Sequence, residues 1–110
     1  MKELRFRAWN EKLKCMSRVL ELDFQHDAIR CVPGHLPKNK ISDCILMQFT
    51  GLRDQHGKEI YDGDIMRCND LGFVSVEWSD ERFGWSPFVS KEDTSWKVIG
   101  NIFENPELLK

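Results

Sequence analysis

Apolar positions in this chain recur mostly at every second residue, in short runs separated by turn-forming residues. Leu4-Arg-Phe-Arg-Ala-Trp9 alternates, with Leu4, Phe6 and Ala8 on one face and Arg5, Arg7 and Trp9 on the other, the pattern of a half-buried strand. After a turn at Asn10-Glu-Lys12, Arg18–Phe24 alternates again, and the two segments predict an N-terminal hairpin. From Gln25 to Asp43 the pattern dissolves. Pro33, Gly34, Pro37 and the polar Lys38-Asn39-Lys40 predict a loop or crossover, with room for a short helix, and a place where a partner contact is expected.

Ile45, Leu46, Met47 and Phe49 then form an apolar run, read as a strand buried on both faces. Thr50-Gly51 is expected to end it. Asp54-Gln-His-Gly57 has the composition of a type I turn, with Asp54 bonding forward to the backbone and Gly57 in the last position. Asp62-Gly63 punctuates again before Ile65, Met66 and Cys68. Gly57 and Gly63 are therefore expected at positive φ, with Asp54 and Asp62 bonded to nearby amides. Phe73–Trp78 places Val74, Val76 and Trp78 on one face, Ser79–Arg82 turns the chain, and Phe83–Val89 returns, kept short or at an edge by Pro87. Trp96–Phe103 is apolar on both sides, as a central or closing strand would be. Asn105-Pro106-Glu107 supplies an N-cap, a first-turn proline and an acidic residue for one helical turn that docks Leu108 and Leu109.

Short strands joined by Gly, Asp and Pro turns predict a mainly β (α+β) fold. Residues 45–110 are expected to form a small SH3-like open barrel closed by that helical turn, with residues 1–44 as a hairpin-and-loop appendage of one 110-residue domain. The composition, 41% hydrophobic and 31% charged, is that of an ordinary soluble domain, and a net charge of −2 sets up no global basic field for nucleic acid. No apolar run approaches a membrane span and Met1-Lys-Glu-Leu4 has no signal-peptide core, so a cytoplasmic protein with no membrane partner is expected.

The candidate chemistry is thin. Asp54, Glu59, Asp62 and Asp64 crowd eleven residues, but not in calcium-loop spacing, and each has a local turn role. Cys15, Cys31, Cys44 and Cys68 form no C-x-x-C pair. Cys31, His35 and Cys44, with Cys15, His26 or His56 as a fourth ligand, make only half of a zinc pattern, so free thiols are expected. Around the three histidines there is no nucleophile elbow, phosphate loop or paired ligand motif, so no catalytic residue, metal or cofactor is assigned. Two aromatic-basic mixtures remain as a candidate nucleic-acid or partner surface: Arg5, Arg7 and Trp9, and Arg82, Trp85, Trp96 and Lys97, with Trp78 and Phe83 beside them. Against nucleic acid stand the acidic net charge and the usual place of alternating aromatics in a core.

The string Thr50-Gly-Leu-Arg-Asp-Gln-His-Gly-Lys-Glu-Ile-Tyr-Asp-Gly-Asp-Ile65 resembles the central signature of the YopX family, small proteins of phages and prophages. Phe6-Arg-Ala-Trp9 and Val98-Ile-Gly-Asn-Ile-Phe-Glu-Asn-Pro-Glu-Leu-Leu109 are similar to its two ends, while Gln25–Lys40 departs from the pattern. The resemblance implies a β-rich fold with an SH3-like C-terminal part, an N-terminal part used in self-association, a homo-oligomer, and no assigned catalytic residue. The function expected is that of a phage or prophage accessory protein, a non-enzymatic scaffold contacting phage or host proteins, with a nucleic-acid-binding barrel as the alternative. Independently of the resemblance, Phe6, Trp9, Leu20, Leu22, Phe24 and Ile29 need cover that a lone hairpin cannot supply. Either the hairpin folds onto the barrel of its own chain or it pairs with a second copy, which would also cover exposed strand edges.

Overall fold

Ten strands and two 3-10 turns make up the regular backbone among the residues that the structure, a computed structural model, describes: 5–32, 40–68, 72–81, 83–87 and 96–109. The fold is mainly β, and every strand pairing is antiparallel. The chain divides into two compact units, Leu4–Gln48 and Phe49–Lys110, with the division inside one strand.

In the N-terminal unit, β1 (Phe6–Asn10) and β2 (Cys15–Asp23) form the expected hairpin, with Ala8 opposite Ser17 and Asn10 opposite Cys15. Asn10 closes its turn, its Oδ1 accepting from the Leu13 amide at 3.0 Å. On its other side β1 pairs with β4 (Cys44–Arg53), from Phe6–Gln48 to Asn10–Cys44. The segment read as a patternless loop contains a further strand, β3 (Ala28–Val32), paired with β2. Its Ala-Ile-Arg-Cys-Val alternates, but over only five residues, and its buried Ile29 faces Leu22. Phe24 therefore lies in the β2–β3 turn, 74% exposed, rather than in a strand. The later part of that segment holds a 3-10 turn at Ile41–Asp43, tied back by Asp27, whose carboxylate accepts from the Ser42 amide at 2.9 Å and the Ser42 hydroxyl at 2.6 Å.

β4 corrects the sequence reading twice. Its residues do not bury both faces, since Met47 and Phe49 are buried while Leu46 and Gln48 on the other face are only half-buried, and Ile45 at the start of the run is 43% exposed. The strand also runs through Thr50-Gly51 instead of stopping there. Gly51 takes φ +86°, and four residue steps on β4 (Phe49 to Arg53) match two on β5 (Tyr61 to Glu59). The Thr50 hydroxyl holds this irregularity by donating to the Ile60 carbonyl at 2.8 Å and accepting from the Leu52 amide at 3.1 Å. A glycine in a strand pattern marks a bulge as readily as an end.

The C-terminal unit contains β5 (Glu59–Tyr61), a three-stranded sheet in which β6 (Asp64–Cys68) lies between β10 (Lys97–Asn101) and β7 (Gly72–Ser75), and a two-stranded ribbon of β8 (Glu77–Ser79) and β9 (Gly84–Ser86). Its core is Ile60, Met66, Val76, Trp96 and Val98, with Leu52, Val74 and Trp85 packed against it. Two expectations change here. Phe73–Trp78 is not one strand. Val76 breaks it, because its amide donates to the Asp64 carbonyl (2.8 Å) and its carbonyl accepts from Gly63 (2.9 Å), so Val76 turns inward and Trp78 outward. Of the central and closing readings of β10 the central one falls, since β10 lies at the end of its sheet, and its apolar residues fall on both sides because a bulge between Val98 and Gly100 shifts the alternation. The closing turn Pro106–Leu109 is 3-10, and the Asn105 side chain reaches back to the Asn101 amide (3.2 Å) instead of capping forward.

Candidate functional site

The most elaborate polar arrangement surrounds Asp54. Asp54 is 5% exposed, and its Oδ1 accepts from the amides of His56 (2.8 Å) and Lys58 (2.9 Å), the bonds expected of a turn-opening aspartate. Its Oδ2 accepts from the Val98 amide, 44 residues away, at 3.0 Å. The Gln55 amide donates to the Trp96 carbonyl at 2.9 Å, so the turn is fastened to the start of β10 at two points. Burial opposes ionisation of Asp54. The hydrogen bonds from Val98, Lys58 and His56, with the nearby His56 ring, prevail and hold the carboxyl below its ordinary value. Gly57 closes the turn at φ +81°.

The next turn follows the same principle with a different aspartate. Gly63 takes φ +85°, and Asp64 Oδ2 accepts from the Tyr61 amide at 2.8 Å across it. Asp64 is 1% exposed, and the Ile102 amide donates to the Gly63 carbonyl at 2.9 Å. The bond across the glycine comes from Asp64, next to the Asp62 that the sequence singles out; an Asp on either side of the glycine offers the same local signal.

The structure turns the tryptophans of the expected aromatic-basic surface toward the interior of their own units. Trp9 is buried, and its indole donates to Glu11 at 2.7 Å. Trp96 belongs to the core, and Trp85 lies half-buried between that core and Trp78, whose ring it meets edge to face at 5.3 Å. None of these three offers a free stacking face. Arg5 and Arg7 lie in the N-terminal unit, Lys97 is exposed on β10, and Arg82 lies outside the described residues. The register instead assembles a row that the sequence reading missed. Lys97 stands opposite Arg67, and Arg67 opposite Phe73, across β10, β6 and β7. Directly opposed residues share a sheet face, and all three are exposed there, while Met66 and Val98 turn to the core. No sequence signal marks this row, because its members lie 30 residues apart at the widest in β6 and β10.

Cys15, Cys31 and Cys44 line one small cavity of about 10 Å³ with Ala8, Asn10, Leu13 and Ser17, room for at most a single water. Burial, then the neighbouring Cys31, Asp43 and Cys15, push the Cys44 thiol up, which disfavours the thiolate that metal binding or nucleophilic attack needs. Among the described residues no three His, Cys, Asp or Glu side chains are placed to hold a metal ion; His35 lies outside them. His26 is an exposed partner of Asp23, with Nδ1 and Oδ2 2.8 Å apart.

Residues 5–110 match the family model described as YopX protein. The chain belongs to the YopX family. Among solved structures, it is similar to protein EF1440 from Enterococcus faecalis, at 26% identity over 100% of both chains with a TM-score of 0.72. Protein yopX from Bacillus subtilis aligns at 19% identity over 96% of this chain and 98% of that one, with a TM-score of 0.48. No curated protein matches. In this YopX-family chain, the motif from Thr50 to Ile65 comprises the Gly51 bulge, the Asp54 turn and the Gly63 turn. The hydroxyl of Thr50 and the carboxylates of Asp54 and Asp64 all meet backbone, so these parts of the motif build the fold.

Proposed function

We propose that this YopX-family chain is a non-enzymatic interaction protein of phage or prophage origin that works in the cytoplasm as a homo-oligomer, assembled through its N-terminal unit. In this reading the C-terminal unit is a scaffold with the strand course of an open SH3-like barrel. The observation that carries the proposal is the apolar surface of the N-terminal unit. Leu13, Leu20, Phe24, Val32 and Ile45 are all exposed, and β3, with Val32 at its end, is the outermost strand there. Exposed apolar side chains beside an outer strand favour association, at roughly 25 cal/mol for each Å² covered and through backbone pairing along the edge. A second copy is the simplest cover, and a two-fold interface would place β3 against its own equivalent.

Light scattering on a size-exclusion column tests this reading. The wild-type chain should elute at a multiple of its 13.0 kDa mass, and Leu20→Glu with Val32→Glu should shift it to a monomer that keeps the folded far-UV circular dichroism and melts at a lower temperature. A wild-type chain that stays monomeric at high micromolar concentration contradicts it.

A further inference from the structure

The row across the three-stranded sheet supports a second binding role, independent of self-association. Lys97 and Arg67 are directly opposed on an exposed face, and neither has an ion-pair partner among the described residues. Like charges directly opposite on neighbouring strands destabilise a sheet, so folding alone gives no reason for the pairing. The N-terminal unit also opposes two arginines, Arg7 and Arg18, but Arg7 is half-buried there, whereas both cations of the β10–β6 pair face solvent. Phe73, 46% exposed, continues the row on β7 with its ring outside the core. Strand spacing sets the three side chains about 5 Å apart in sequence across the sheet, a line of about 10 Å running over the strands. Two cations with no ion-pair partner among the described residues, followed by an open aromatic ring, match a ligand with regularly spaced negative charge and flat apolar faces.

We propose that Lys97, Arg67 and Phe73 bind single-stranded nucleic acid, the two cations on neighbouring phosphates and the Phe73 ring beneath an unpaired base. A phosphate chain relieves the repulsion between Lys97 and Arg67, and base stacking covers the exposed ring. A double helix keeps its bases stacked inside and cannot use Phe73. The net charge of −2 works against any polyanion, so binding is weak and visible first at low salt.

Fluorescence anisotropy of a labelled oligothymidylate with the full chain, over a salt series, is the test. Binding should weaken as salt rises. Arg67→Gln with Lys97→Gln should reduce the slope of log K against log salt by about 1.4, the share of two single-strand phosphate contacts. Phe73→Ala should weaken binding by roughly tenfold at an unchanged slope, as loss of one stacked base does. Lys58→Gln, which removes an exposed cation from the Asp54 turn, should change neither. Thermal melts confirm that each variant is folded, and Arg67→Lys, which keeps the charge, should bind like wild type. No anisotropy change at low salt overturns the proposal. So does an effect of Lys58→Gln as large as that of the double variant, or heparin displacing the oligonucleotide while Phe73→Ala has no effect, since either leaves only unspecific charge attraction.

Discussion

The two units use polar side chains in opposite ways. In the C-terminal unit, buried aspartates hold the backbone. Asp54 binds three amides, one of them 44 residues away, and Asp64 binds the Tyr61 amide beside a fully buried Ile65 and Met66. In the N-terminal unit the ionic contacts lie at the surface. Arg30 and Glu21 pair at 2.9 Å with both side chains about two-thirds exposed, Lys14 pairs with Glu11, and Asp23 with His26. Apolar exposure, by contrast, occurs in both units: Leu20, Val32 and Phe24 on β2, β3 and the turn between them, and Phe73, Trp78 and Phe83 in the C-terminal unit. A carboxylate buried among amides fixes one geometry, because each lost bond leaves a buried donor unsatisfied. Solvated ion pairs fix little. The buried aspartates thus give the C-terminal unit an internally anchored backbone that the surface pairs of the N-terminal unit do not supply.

The comparison breaks most readily at Asp54. Asp54→Ala strands the His56, Lys58 and Val98 amides and should cost about 3 kcal/mol in denaturant unfolding, with loosening centred on the 54–58 turn and the start of β10. Acid titration sharpens the same point. The Asp54 carboxyl lies below its ordinary value in the folded chain, so its contribution is fully present above the unfolded-state value near 3.9 and is lost as pH falls through the lower folded-state value. Wild type should therefore lose stability below about pH 4 more steeply than Asp54→Ala, measured by urea midpoints at each pH. Gly63→Ala should cost roughly 1 to 2 kcal/mol, because φ +85° is strained for any residue with a Cβ. The smallest effect belongs to the N-terminal unit. Arg30→Ala should change the unfolding free energy by no more than about 0.5 kcal/mol, as is usual for an exposed pair. A loss comparable to that of Asp54→Ala would erase the distinction between the units.

Legibility followed the range of each interaction. The β1–β2 hairpin, the Asp54-Gly57 turn and the turn at Gly63 are set by residues within a few positions of one another, so composition exposes them. β3 was missed although it follows β2 through a turn of four residues, because its five residues carry too little alternation to stand out beside Pro33, Gly34 and Pro37. The β4 bulge and the break at Val76 depend on bonds to Ile60, Asp64 and Gly63 that only the folded chain brings together. The same holds for the surfaces. Trp9, Trp85 and Trp96 sit beside basic residues in sequence, yet packing takes them inward, whereas Lys97, Arg67 and Phe73 meet only through strand register. Cross-strand neighbours are a property of pairing, and the sequence order of one strand does not contain them.

Hydrogen–deuterium exchange at two protein concentrations tests directly whether the N-terminal unit is completed by a second copy. The amides of residues 20–32, covering the end of β2 and all of β3, should gain protection as concentration rises, while those of residues 54–66 keep the same slow exchange throughout. Exchange of residues 20–32 that does not change with concentration, in a chain that stays monomeric, would contradict the account.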